Sequence, residues 1–286
     1  MIIMRIMGGL GNQMFQYALY EKLKCLGKEI KADTTSFYNL DTHRKYELNK
    51  FANVDIQEAS EEEKQYYFEY AQKWCHRVEG RLFPEKKKVR DFERLKYCEN
   101  VYKVKDAYIY GFWQSEKYFA DIREIIVDKF KFPETNDPEN IKFLKLIEDE
   151  NSVSIHVRRG DYLSEANQII YGNICTLHYY EQAIQYFEKK FKDVTFFVFS
   201  NDVEWARKNL QMKKAVFVEG NDGEKAVFDM MLMSRCRHNI IANSSFSWWG
   251  AWLNMCAEKE VVAPSRWINT ECAEDIWCEG WKKIDG

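Results

Sequence analysis

The alternation of apolar and polar positions divides the chain into an α/β opening, an irregular middle and a long rhythmic second half. Residues 1–6 form an apolar run that reads as a short buried strand. Gly8, Gly9 and Gly11 then break the pattern, and residues 12–27 read as a helix ended by a glycine. A strand, a glycine turn and a helix are the start of an α/β unit. Residues 40–105 are charged, aromatic-rich and without clear period, apart from helical stretches such as residues 60–78. Residues 132–139, FPETNDPE, hold two of the chain's four prolines and read as a linker between domains.

Beyond that point strands and helices alternate. Strands are predicted at residues 152–157, 195–200, 215–218, 239–242 and, last, 260–263. Helices are predicted at residues 177–191, 203–210, 224–236 and 245–258. This order implies a parallel sheet covered on both faces. Ligands of such sheets bind beyond the carboxyl ends of the strands, which selects the segments after Val157, Phe199 and Ala242. No internal repeat or low-complexity segment interrupts the pattern.

At 286 residues, 46% apolar and 30% charged, the chain has the composition of a globular protein large enough for two modest domains. A net charge of −3 gives no general attraction to nucleic acid. The run EKKKVR at residues 85–90 reads as a solvated surface, with contact to an acidic acceptor or a membrane surface as the alternative. The cysteines at 25, 75, 98, 175, 236, 256, 272 and 278 form no CxxC pair and read as buried free thiols of a reducing compartment. Cys272 and Cys278, although close, fit a late loop with both thiols reduced. Arg5 interrupts the first apolar run and no cleavage site follows, so neither a signal peptide nor an anchor is expected. No stretch approaches the ~20 apolar residues needed to span a bilayer. The expected location is the cytoplasm.

Each selected strand end carries an unusual polar cluster. His156-Val157-Arg158-Arg159-Gly160-Asp161-Tyr162 sets two arginines at a strand end, costly near a core without an anionic partner. The guanidinium fork suits phosphate oxygens, Gly160 allows a sharp turn, and Asp161 could orient an arginine. The alternative is a surface ion-pair network with His156 in the core. Asn243-Ser244-Ser245-Phe246 places amide and hydroxyl groups at a helix start, where they would ring free N–H groups and bind phosphate. An ordinary capped helix is the competing reading, and Trp249 and Trp252 fit its buried face. Ser200-Asn201-Asp202 follows a strand, and Asp229 lies in the helix before the third cluster. Either carboxylate could recognise guanine through its N1–H and exocyclic amine, or be a cap or a solvated helix residue. In the first half, the Gly8–Gln13 turn could meet an anion or a sugar, though it lacks the GxGxxG spacing and the Walker lysine, and a tight strand–helix turn reads equally well.

The sequence has no DxD, HExxH or paired Cys/His set to suggest a metal, and no GxSxG elbow. A nucleotide-sugar enzyme of this kind would neutralise its leaving diphosphate with arginines and a helix N-terminus.

Taken together, GGLGNQMFQYA, GFWQSEKYF at 111–119, HVRRGDY, FSND and NSSFSWWGAWL resemble, in order and rough spacing, the α-1,2-fucosyltransferases of glycosyltransferase family 11. Residues 40–105 carry no matching motif. The resemblance implies a GT-B architecture of two α/β, Rossmann-like domains facing a cleft: residues 1–135 on the acceptor side and residues 136–286 binding GDP-fucose. It implies an inverting transfer of L-fucose to the 2-hydroxyl of a β-galactosyl acceptor, without metal or other cofactor. Arg158 would hold the β-phosphate, with His156, Arg159 and Asp161 shaping that motif. Asn243, Ser244, Ser245 and Phe246 match a diphosphate-contacting segment, and Asn12 matches a first-domain asparagine facing the reacting centre. Asp229, with Asp202 second, is the choice for guanine, and Asp161 is a candidate base.

The implied partners are GDP-fucose and a galactose-terminated glycan or lipid-linked oligosaccharide, as in bacterial surface polysaccharide assembly, with peripheral contact at the inner face of the membrane as an option and no nucleic acid. Two other readings stand beside this one. One is a GT-B enzyme of different linkage or nucleotide sugar. The other is a non-catalytic nucleotide- or carbohydrate-binding protein, against which the cost of the paired arginines counts.

Overall fold

A computed structural model describes residues 1–39, 44–73, 80–83, 86–92, 95–160 and 164–286, and its contacts divide the chain into two units, Met1–Lys131 and Phe132–Gly286. The first unit is built on β1 (Ile2–Arg5), whose Ile2, Ile3 and Met4 are fully buried. Helix α1 (Leu10–Cys25) follows at once, starting two residues earlier than the sequence pattern suggests. The reason is Gly9, an extended N-cap that lets Leu10 and Gly11 enter the first turn. At the far end Lys28 N–H bonds Leu23 O and Gly27 N–H bonds Lys24 O, with Gly27 at φ +72°. This glycine-dependent closure satisfies the terminal carbonyls.

Then come β2 (Ile30–Asp33), α2 (Ser36–Asn39), α3 (Glu61–Gln72), β3 (Val89–Asp91), β4 (Ala107–Tyr110) and α4 (Arg123–Lys129). Helix α3 opens with a reciprocal box between Ser60 and Glu63. The four strands lie parallel in the order β2-β1-β4-β3. The segment that showed no period thus supplies the edge strand β3, too short to display one.

In the second unit α5 (Pro138–Asp149) begins where a linker was expected: Asp137 caps it by accepting from Glu139 N–H at 3.1 Å, and Pro138 takes the first helical position. It leads to β5 (Asn151–Val157), α6 (Glu165–Tyr171), α7 (Leu177–Lys190), β6 (Val194–Ser200), α8 (Val203–Asn209) and β7 (Ala215–Val218). After these come α9 (Ala226–Arg235), β8 (His238–Ile240), α10 (Ser245–Trp252), β9 (Val261–Pro264) and β10 (Lys282–Ile284). All six strands are parallel, ordered β10-β9-β8-β5-β6-β7. One face packs Val153, Ile155, Phe196 and Val198 against Tyr179, Tyr180 and Ala183 of α7. The other packs Phe197 and Phe199 with Phe143 of α5 and Met231 of α9. Burial on both faces explains the unbroken apolar runs of β5 and β6.

Two boundaries differ from the pattern. Helix α10 stops at Trp252, six residues short, because the Lys259 ammonium caps Ala251 O and Asn254 O at 2.8 Å each, while the Asn254 side chain bonds Cys236 O and Asn239 Oδ1. The last strand is β10, a mostly exposed Lys-Lys-Ile with no apolar alternation to reveal it. The thiols also differ. Seven cysteines are described and none is in a disulfide, but of these only Cys236 and Cys278 are buried, Cys98 and Cys175 are partly buried, and Cys25, Cys256 and Cys272 are exposed. Trp249 and Trp252 are core residues, as expected. Among the described residues no helix is long and apolar enough to cross a membrane.

Candidate active site

The strand order puts the three polar clusters side by side. From β5 the chain winds outward through β6 and β7, then crosses back to lay β8 on the other side of β5. Ligands of open parallel sheets bind at such a reversal, outside the carboxyl ends of the strands. There Arg158 and Arg159, following β5, and Asn243, following β8, line one cavity of about 250 Å³ with Gln168, Tyr171, Cys175 and Thr176. The lining contributed by residues 168–177 was not singled out in the sequence. Its signals are local: Asn173 at φ +55°, and Thr176 capping α7 through Tyr179 N–H.

The arginine turn is held from β6. Arg159 N–H donates to Asn201 Oδ1 at 3.0 Å, its Nε donates to Asp202 Oδ2 at 3.3 Å, and its guanidinium lies 4.1 Å from the Trp205 ring centre. A Cβ on Gly160 would overlap the Asn201 amide, so glycine is needed for the close approach rather than for an unusual φ. Asn201, overlooked as a site residue, is therefore part of the arginine turn. Asp202 holds both ends of this arrangement: Oδ1 caps α8 by accepting from Trp205 N–H at 3.1 Å, the cap the sequence allowed, and Oδ2 takes Arg159. Asp161 lies outside the described residues.

His156 sits behind this turn as a buried neutral imidazole. Burial, reinforced by the Arg158 charge, pushes its pKa down to about 3. Its ring centre is 5.8 Å from that of Phe246, joining β5 to the first turn of α10, and Tyr180 OH donates to its carbonyl at 3.0 Å. The ring nitrogen Nδ1 has no partner among the described residues.

In the third cluster the Asn243 side chain is tied to the segments that line the cavity. Its Nδ2 donates to Tyr171 O at 3.2 Å and Trp267 O at 3.1 Å, and its Oδ1 accepts from the Cys175 thiol at 3.4 Å. The residue clamps the cavity wall. Ser244 is the N-cap of α10 but makes no capping side-chain bond, and Ser245 and Phe246 are half-buried in the first turn. Burial lifts the Cys175 thiol to about 12, so it stays protonated.

Asp229 stands in the first turn of α9. Burial raises its carboxyl to about 7, against the lowering effect of Asn221 Nδ2, which donates to Oδ1 at 2.8 Å. Asn221 is fixed in turn by a reciprocal amide pair with Asn140 of α5. Phe246 and the neighbouring Phe228 and Met231 belong to one apolar cluster, which ties α9 to α10.

Asn12 belongs to the first unit. Gly8 holds φ +83°, and a Cβ there would stand 2.9 Å from Asn12 Nδ2. Gln13 and Gln16 brace the turn: Gln13 Nε2 donates to Gly8 O, and Gln16 Oε1 accepts from Met7 N–H, both at 2.8 Å. Gln114, another residue not singled out, donates from Nε2 to Asn12 Oδ1 at 2.6 Å.

Two parallel-sheet α/β units, with paired arginines at the reversal of the second, form an architecture of the GT-B class. The fold matches that of an Arabidopsis thaliana FUT1 mutant in complex with GDP, at TM-score 0.52 and 11% identity, over 92% of this chain and 70% of that one. The model of glycosyl transferase family 11 matches residues 1–285, and the chain belongs to that family. Among its relatives is an alpha-1,2-colitosyltransferase of Escherichia coli, 34% identical over 99% of each chain. The O-antigen biosynthesis glycosyltransferase WbnK of the same organism is 33% identical over 96% of this chain and 97% of its own. A galactoside alpha-(1,2)-fucosyltransferase 1 of Leontopithecus chrysomelas is 30% identical over 50% of this chain and 42% of its own.

Proposed function

We propose that the chain transfers L-fucose from GDP-fucose, with inversion, to the 2-hydroxyl of a galactosyl residue on a glycan or lipid-linked oligosaccharide. The observation that carries this reading is the convergence of Arg158, Arg159 and the Asn243 loop on one cavity at the strand reversal. In this reading the bond between the sugar and the diphosphate lengthens first, and negative charge builds on the leaving GDP. Arg159 is braced by Asp202 and Trp205, and Arg158 meets the diphosphate. Contacts that tighten on the developing charge lower the barrier, whereas equal binding of ground and transition states would not. Asp229, held by Asn221, recognises guanine, and Asn12 donates to a sugar oxygen during transfer. Charge neutralisation by arginine leaves no step that needs a metal. The relative named for O-antigen biosynthesis supports a polysaccharide acceptor.

A second reading, transfer of another deoxy sugar in the same linkage, is supported by the colitosyltransferase, which aligns over 99% of the chain. Measuring GDP release from GDP-fucose and GDP-colitose, with a panel of β-galactosides and EDTA present, separates the two. Acceptor-dependent release from GDP-fucose, giving Fuc-α1,2-Gal by linkage analysis, supports the first. Turnover of GDP-colitose alone replaces it with the second, and turnover of neither removes both.

A further inference from the structure

The loop after β4 carries features that packing alone does not require. Trp113 is wholly buried yet takes φ +47°, a left-handed conformation that side chains other than glycine's disfavour. Among the described residues its indole Nε1 has no hydrogen-bond partner, nor does Oε1 of the adjoining Gln114, which is 2% exposed. Buried polar atoms left unpaired are destabilising, and two on consecutive residues need an explanation.

The backbone shows what this conformation achieves. Ser115 N–H donates to Trp113 O at 2.8 Å, closing a three-residue turn centred on Gln114. Ser115 Oγ then accepts from Lys117 N–H at 3.3 Å, anchoring the turn to the short helical segment Glu116–Tyr118. Because β1 and β4 are neighbours in the parallel sheet, this turn and the Gly8–Asn12 turn leave the same sheet end. Gln114 Nε2 is thereby brought to 2.6 Å from Asn12 Oδ1. On the other side Asn12 Nδ2 stands over the bare Cα of Gly8. The Asn12 carboxamide is thus held in one orientation, its oxygen committed to Gln114 and its NH₂ left as the group able to donate.

We propose that Gln114 is a positioning residue for Asn12, fixing that amide so that its NH₂, rather than its oxygen, is offered to a sugar oxygen during transfer. The proposal rests on the reading that Asn12 acts in transfer.

The test uses the full chain and three single variants: Gln114→Met, which keeps length without a donor; Gln114→Glu, which keeps shape and sets a carboxylate against the Asn12 oxygen; and Asn12→Ala. Each Gln114 variant should lower kcat about tenfold to a hundredfold while GDP affinity, a property of the second unit, stays within about twofold. Combined with Asn12→Ala, Gln114→Met should add little, because both changes remove one interaction. Melting temperature reports folding, and if the Met variant unfolds the Glu variant decides. A Gln114 variant with wild-type kcat, or a loss that simply multiplies that of Asn12→Ala, overturns the proposal. A silent Asn12→Ala removes it together with the role of Asn12. Absence of turnover by the wild type with any nucleotide sugar is a different failure, that of the transferase reading itself.

Discussion

Asp202 and Arg159 form an ion pair in which one carboxylate oxygen takes the guanidinium Nε at 3.3 Å while the other starts helix α8. The indole of Trp205, first-turn neighbour of that cap, packs on the same guanidinium. Arg159 is therefore a rigid part of the turn, and in the proposed function it is the adjoining Arg158 that meets the diphosphate. Arg158→Ala should reduce kcat by about a hundred- to a thousandfold, the effect of removing one donor to a developing oxyanion. Its melting temperature should match the wild type. Steady-state kinetics on the purified variant check this, and near wild-type turnover would exclude Arg158 from the role.

The guanine-recognition role proposed for Asp229 carries a pH signature. Only the ionised carboxylate accepts from both purine donors, and burial places its pKa at about 7. Below that value the folded protein increasingly holds the neutral acid, so GDP affinity should fall by up to about tenfold per pH unit. Calorimetric titration of GDP and IDP between pH 5.5 and 8 measures it. Asp229→Asn should flatten the profile and erase the preference for GDP over IDP; a pH-independent preference in the wild type contradicts the assignment.

His156 acts on stability. Its folded pKa of about 3 lies below the ordinary 6.5 because burial and Arg158 disfavour the cation. Between these values the unfolded chain binds a proton that the folded chain excludes. The stabilising contribution is therefore full above pH 6.5 and declines as pH falls toward 3. Going from pH 7.5 to 5.5, wild type should lose about 1 kcal/mol more than His156→Gln in urea unfolding. Asp229, whose pKa is raised, contributes in the opposite sense, which is why the comparison with the variant is needed. Equal losses would place the imidazole in a more solvated setting.

Gly8→Ala should be disproportionately harmful for one methyl group. It combines φ +83° with a Cβ 2.9 Å from Asn12 Nδ2. The backbone term alone is about 1–2 kcal/mol. Thermal unfolding should show it, with kcat reduced as the asparagine amide is displaced. Gly27→Ala, also at positive φ but in open space, should show the backbone term with unchanged kcat.

The second unit was readable because β5 and β6, buried on both faces, print their burial as apolar runs. The arginines, the serines after β8 and the Gly8 turn stood out because their chemistry is unusual at strand ends. What stayed hidden depends on partners distant in sequence. Nothing near Asp202 says that Arg159 will occupy it, and nothing near Asn243 shows that the carbonyls of Tyr171 and Trp267 will take its amide. Gln114 lay in a recognised segment, yet its link to Asn12 exists only once β4 lies beside β1. Strands β3 and β10 were too short and too polar to leave a period.

The position of β5 between β6 and β8 has a consequence at the ribosome. Val153 pairs with Phe196 on one side and with His238 on the other. The second partner emerges only after β7 and α9 have been made. Until then one edge of an apolar strand stands open, the kind of edge that recruits a foreign chain. At synthesis rates of about 5–20 residues per second the exposure lasts several seconds. The yield of folded enzyme in a producing cell should therefore depend on translation speed and chaperone supply through this half of the molecule.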